Sequence, residues 1–311
     1  MDTAVFLVVD VIILVLQAGS LTCTTVVVIM FIKVKELRQR PSLRLALFLT
    51  SSHFVFDVVS LPYVIYLACN WRADFLDMDP YIIMILSVGL PIQLKIKLTL
   101  TIAIAVERAL ALFTPFIYRR ICLCTYALAF FLIAITLAAI DISIEFAVSP
   151  FKRVINCDSI GCFVGEKYLN YWGVSNMVMG MIVDCLTLLV LVKLKAMRQP
   201  RPHKNSTSKV VPKKLNQANR TSVGILVSSF VFITVPSVAV GVVNMCGYPI
   251  FDKIGPFYTP CLLTTGIFDC TVYVFMNKEL RAVVKRILRG MDPCASTTEQ
   301  RVFHMQVATS K

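Results

Sequence analysis

The chain alternates between long apolar runs and short polar, mostly basic segments. Seven apolar runs stand out: about 4–32, 45–69, 81–106, 122–148, 168–192, 222–246 and 256–276. Each is long enough to cross a hydrocarbon core of about 30 Å as a helix. Helices satisfy their own backbone in lipid, whereas spans this long and odd in number do not make a β-barrel. The pattern predicts an all-α membrane protein: a seven-transmembrane helix bundle, followed by a short basic amphipathic helix at 277–289. The first run lacks a basic leading region and is closed by Lys33 and Lys35, so it is read as a retained span and not a signal peptide. Residues 1–290 form one seven-helix domain in this reading, and 291–311 a short, polar, disordered tail. There is no fixed-period or inverted repeat of the kind that marks many transporters.

Composition agrees with the pattern. Of 311 residues, 57% are hydrophobic and only 16% charged, where soluble domains carry about 25% charged residues. The net charge of +13 would suggest nucleic acid until the charges are placed. Segments 33–44, 107–120, 193–221 and the tail from 277 hold 5, 3, 9 and 7 Lys/Arg, 24 in all, against 5 in the opposite loops. This asymmetry predicts an extracellular N-terminus and a cytoplasmic C-terminus in a multi-pass plasma-membrane protein. The basic face then meets anionic lipid, and no nucleic-acid partner is expected. Segment 193–221, with no acidic residue, reads as a solvated loop or a docking surface for an acidic partner. The sequons at Asn205 and Asn219 fall on the same inner side and are expected to stay unmodified.

Eleven cysteines are present, most of them inside spans. Cys157 and Cys162 share an outer loop and are candidate disulfide partners, with Cys69 as a competitor. Cys294, just past the basic stretch, is a candidate palmitoylation site.

Charges inside spans carry the most information, because each costs several kcal/mol unless paired or hydrated, about 3 kcal/mol by insertion scales. They are Asp57, Lys95, Lys97, Asp141, Glu145, Asp184 and Asp269. At about 1.5 Å per residue, Asp57 lies about 20 Å from the inner end of its span and Lys97 about 16 Å. Lys97 is therefore expected to pair with Asp57 or Asp269 in a buried polar network of Asp57, Lys97 and Asp269. Lys95 projects about 200° away from Lys97 on the helix wheel and needs its own partner, which an anionic ligand would supply. Asp141 and Glu145 share a face near the outer end of the fourth run. They are expected to pair with Lys152 and Arg153, or to join Lys95 in contacting a ligand. Enzyme signals are poor. The three histidines have no ligating company, neither VDCLT nor FDCTV has the glycine frame of an intramembrane aspartyl protease, and no phosphate-binding glycine pattern occurs. No enzyme activity, cofactor or metal site is expected.

Two segments then sharpen the picture. ERALALFTPFIYR at 107–119 resembles the acid–Arg–Tyr motif that closes the third span of rhodopsin-like G-protein-coupled receptors, with Pro115 and Tyr118 at the family's spacing. FDCTVYVFMNKELR at 268–281 is similar to the motif ending their seventh span, with Tyr273 in register and Asp269 and Cys270 replacing Asn and Pro. Phe230 and Pro236 keep the spacing of the sixth span, with Thr234 where a Trp is usual, and Asp57 matches the family's buried acid. Departures include Ala109 after the Arg, the lack of a Cys near Ile83, and Lys97 where a small polar residue lines a sodium pocket. Together these features resemble the nematode serpentine chemoreceptors, class BC in particular.

The resemblance implies a receptor that binds a small-molecule ligand in its outer half and activates a heterotrimeric G protein. It makes Glu107, Arg108, Tyr118, Pro236, Asp269 and Tyr273 the coupling and activation switch. It also implies a location that includes sensory-neuron cilia; and if Lys97 faces Asp57, its ammonium replaces the sodium ion and sodium regulation is expected to be absent. The competing class is an ion channel or proton-coupled transporter whose path runs along Lys95, Lys97, Asp57 and Asp269.

Overall fold

The structure, a computed structural model, describes residues 3–34, 43–71, 78–154, 160–198, 213–245 and 258–276, together with Leu280, Arg281 and Val284. Its elements are α1 (Thr3–Lys33), α2 (Arg44–Asn70), α3 (Pro80–Ser87), α4 (Gly89–Phe113), α5 (Pro115–Arg120), α6 (Leu123–Val148), α7 (Glu166–Arg198), α8 (Lys213–Ser229), α9 (Val235–Met245) and α10 (Tyr258–Met276). A 3₁₀ turn at Ile160–Cys162 precedes α7, and a π-helical turn at Phe230–Thr234 joins α8 to α9.

Among the described residues, six helical stretches are long and apolar enough to cross a membrane: Leu7–Lys33, Arg44–Asn70, Leu123–Val148, Glu166–Met197, Arg220–Ala239 and Tyr258–Met276. The remaining predicted run, 81–106, is helical too, but it is divided at Val88 into α3 and α4. Lys95, Lys97, Glu107 and Arg108 all lie on α4, which lowers its hydropathy. α4 is the axial member of the bundle. It packs against α2, α6, α7 and α8, while α1 closes against α2 and α10. Its buried face is accordingly broad, and every residue from Leu94 to Thr101 is buried.

Local chemistry sets the helix ends. Asp79 caps α3, its carboxylate accepting from the Tyr81 amide at 2.8 Å, with Pro80 in the first turn where its missing N–H is harmless. Thr114 ends α4 and Pro115 starts α5. Within spans, Thr99 and Thr265 turn their hydroxyls back onto carbonyls one turn earlier, as do Thr24 and Thr101, whose hydroxyls also reach Asp57 and Ser229 on other helices.

Close backbone approach fixes two seams. A Cβ on Gly224 would meet Val272 Cγ1 at 2.6 Å, so α8 and α10 touch through a hydrogen atom. A Cβ on Gly266 would meet Ser20 Oγ at 2.8 Å, so α10 also sits tightly on α1. Small residues at such seams replace the hydrophobic driving force that lipid removes. Pro236 lacks the N–H that would bond the Phe232 carbonyl, and the π-helical turn falls on that segment.

Candidate functional site

Three buried polar clusters are strung along α4, one toward each end and one between them. At its C-terminal end, Arg108 Nη2 donates to Glu107 Oε1 at 2.9 Å, and both side chains are buried. The Tyr118 hydroxyl, delivered by α5, donates to the same oxygen at 3.3 Å. The acid thus holds the Arg and the following helix at once. Burial and the neighbouring Glu107 carboxylate push the Tyr118 phenol above its ordinary range, so it stays a donor.

About 16 Å further along α4, Lys97 Nζ pairs with Asp269 Oδ2 on α10, and both are buried. His53 Nε2 on α2 lies 3.4 Å from the same oxygen. Gln93 Nε2 stands 3.1 Å from His53 Nδ1; as the donor there, it leaves the ring proton on Nε2, facing the acid. One carboxylate therefore ties together α2, α4 and α10.

The expected Lys97–Asp57 pairing is not formed. Asp57 turns to α1, accepting from Ser20 Oγ at 3.0 and 2.9 Å and from Thr24 Oγ1 at 2.9 Å. The Gln17 amide donates to the Asp57 carbonyl and, at 3.1 Å, to Ser60 Oγ. Similar depth in the membrane allowed either acid; helix rotation decides, and it aims Lys97 at α10. Within the expected network of Asp57, Lys97 and Asp269, only the last two meet.

The third cluster belongs to Lys95. Its ammonium lies 3.0 Å from Asp141 Oδ2 on α6 and donates to Ser175 Oγ on α7 at 2.9 Å. The Tyr171 hydroxyl donates to Asp141 Oδ1 at 2.9 Å, and the Tyr168 hydroxyl to Glu145 Oε2 at 3.2 Å. This corrects the expectation that Asp141 and Glu145 pair with the loop residues Lys152 and Arg153. α6 turns its carboxylates inward, where Lys95 and two tyrosines from α7 meet them. Lys95, Asp141 and Glu145 do share one cluster, but the partner of Lys95 is a protein carboxylate.

The other sequence candidates are spread around these clusters. Tyr273 is buried near the end of α10, and its hydroxyl makes no hydrogen bond. Pro236 lies in α9 just past the π-helical turn, while Phe230 at the start of that turn is exposed. Asp184 on α7 faces Thr234. Cys162 is disulfide-bonded and Cys69 is free, which removes Cys69 as the competing partner. Cys157, Cys294, the sequons and the tail lie outside the described residues, as does most of 277–289. Sequence reasoning missed Asp10, buried on α1, as well as His53, Gln93, Tyr168, Tyr171 and the Gln17–Ser20–Thr24 row. The row was visible as polar residues at 17, 20 and 24, one face of an otherwise apolar helix.

No group of three or more His, Cys, Asp or Glu suited to a metal ion occurs among the described residues. The arrangement offers no nucleophile with an adjacent base. What it does offer is a set of closed ion pairs and hydrogen bonds, each linking one side of α4 to a different neighbour. Such contacts can exchange between packing states of a helix bundle.

No curated protein matches the chain. The model of the serpentine type 7TM GPCR chemoreceptor Srbc family matches residues 1–276, and the chain belongs to that family.

Proposed function

We propose that this protein is a chemosensory receptor that binds a small molecule in the outer half of its bundle and activates a heterotrimeric G protein through Arg108. In this reading α3 and α4 together form the third of seven spans. The N-terminus is extracellular and the C-terminus cytoplasmic, in keeping with the 24-to-5 basic asymmetry. The receptor sits in the plasma membrane, that of sensory-neuron cilia included.

The observation that carries the proposal is the Glu107–Arg108–Tyr118 cluster where α4 meets α5. An Arg held by its neighbouring acid at an inner helix end is a closed switch. Opening the bundle frees its guanidinium to meet a partner, and the acid remains to recapture it. Lys97–Asp269 and Lys95–Asp141 are resting-state ties in the same scheme, because both cross between helices that must shift. The π-helical turn before Pro236 is the hinge about which the cytosolic half of α8 swings.

A conducting path would need its charges open to water. Lys95, Lys97, Asp57 and Asp269 are all buried and answered by neighbours, which favours the receptor over the channel or transporter. The test is a chemical screen in cells that express the chain with and without a co-expressed G-protein reporter. A response confined to cells holding both supports the proposal. An agonist-evoked current that needs no G protein overturns it.

A further inference from the structure

The chemistry of the ligand can be taken one step further, resting on the chemoreceptor reading. Both intramembrane lysines are answered inside the protein, Lys95 by Asp141 and Ser175, Lys97 by Asp269. Neither ammonium remains to hold an anion. Among the described residues, Asn176 on α7 is the one buried amide side chain with both polar atoms unanswered. It is 0% exposed, and neither its amide nitrogen nor its amide oxygen makes a hydrogen bond. A buried amide left this way costs about 1–3 kcal/mol or more, so it calls for a partner.

Its surroundings follow from helix register. Asn176 lies one turn after Trp172 and one turn before Gly180, so the three share a face. Trp172 meets Tyr258 of α10 edge-on, with ring centroids 4.8 Å apart. The Tyr258 hydroxyl faces Ser237 of α9. On the inner side, a Cβ on Gly180 would meet Thr234 Cγ2 at 2.9 Å, so α7 and the π-helical turn close tightly there. Asn176 therefore sits between an aromatic pair toward the outside and a closed floor toward the cytosol, about 15 Å along α7 from Glu166. Ser237 approaches the same level from α9, one turn past Thr234.

We propose that Asn176, with Ser237 and Tyr258, reads an uncharged ligand: an apolar body packed on Trp172 and Tyr258, and a hydroxyl or amide head that bonds the Asn176 amide. An amide side chain both donates and accepts, so it suits a neutral head with the same double capacity. A carboxylate or ammonium head would enter this layer without a free counter-charge beside Asn176, and burying it would be costly. Such a ligand also bridges α7 to the segment that carries Pro236, on the outer side of the hinge. This ties the reading site to the proposed switch.

The experiment uses the full-length chain purified in detergent and reads thermal unfolding, so it does not depend on G-protein coupling. In the absence of any added compound, Asn176→Leu is expected to raise the melting temperature by a few degrees, since an unpaired buried amide gives way to an apolar side chain of similar shape. A fall instead would mean that Asn176 is a satisfied structural group, and would overturn the proposal. The wild type is then titrated with matched short-, medium- and long-chain alcohols and primary amides, and with the carboxylates and alkylammonium ions of the same chain lengths. Stabilisation by a neutral member, with affinity weakened about tenfold in Asn176→Leu and less in Ser237→Ala, supports the proposal. The ammonium arm tests the carboxylates that α7 meets on α6, Asp141 and Glu145. Stabilisation only by carboxylates or only by ammonium ions, or no shift from any neutral member, overturns it. A stabilising neutral compound that evokes no G-protein response would leave the binding inference standing and remove the coupling one.

Discussion

Replacing Lys97 by Met removes one half of an ion pair buried on both sides. Asp269 then keeps only His53 Nε2 at 3.4 Å, and its Oδ1 has no hydrogen bond to begin with. Breaking a buried pair by deleting one partner costs about 3–5 kcal/mol, mostly because the remaining charge is left uncompensated. For a chain of this size that is a fall in melting temperature of roughly 5–10 °C. The double variant Lys97→Met/Asp269→Leu removes both charges and is expected to recover most of the loss, since apolar replacement of a whole buried pair is often neutral. Purified receptor heated with a thiol-reactive dye gives the readout, because Cys270 is free and buried until the bundle opens. A single variant within about 2 °C of wild type would refute the pairing, a shift worth under ~1 kcal/mol. A double variant as unstable as the sum of the singles would refute the coupling between the two residues.

Four further outcomes follow from the same structure. Gly224→Ala forces a methyl into Val272 at 2.6 Å and should destabilise the chain by about 1–3 kcal/mol, while Gly19→Ala, whose Cβ meets Ile267 only at 3.5 Å, should be tolerated, as paired melting curves would register. Tyr118→Phe deletes the 3.3 Å bond to Glu107 and should raise basal signalling slightly, by a factor within about tenfold; lower basal output would contradict the latch role. Cys122 is exposed, and its thiol is held below the ordinary range by Thr125 hydrogen bonds and then by Arg44, so an impermeant maleimide should label it at neutral pH in permeabilised but not intact cells of a Cys69→Ser background. Cys162→Ser should cut surface expression by removing a disulfide worth about 2–5 kcal/mol, whereas Cys69→Ser should leave it unchanged.

Much of the bundle was legible because lipid imposes a coarse rule: apolar length and charge asymmetry are properties of composition, and they survive any helix rotation. The helices for all seven runs appear where the apolar stretches lie, and the resemblance to class BC serpentine chemoreceptors agrees with the family match over 1–276. Partner choice was not legible. Lys97 had two acids at similar depth, and only the azimuth of α4 sends it to Asp269. For Asp141 and Glu145, the nearby Lys152 and Arg153 looked sufficient in sequence, yet α6 turns both acids inward. The wheel argument that Lys95 and Lys97 cannot share a partner needed only periodicity, and the two do take different acids. The division of the third run at Val88 and the π-helical turn had no composition signal beyond Pro91 and Pro236 nearby. Asn176 was invisible because one polar residue in a span means little until its neighbours are known to leave it unpaired.

Nucleotide exchange on a purified heterotrimeric G protein, driven by membranes carrying either the wild-type chain or Arg108→Gln at matched surface density, bears most directly on the account. Agonist-stimulated exchange with the wild type, lost in Arg108→Gln while ligand-induced stabilisation of the chain persists, is the predicted result. Undiminished exchange by Arg108→Gln would contradict the claim that the buried Glu107–Arg108–Tyr118 cluster is the coupling switch.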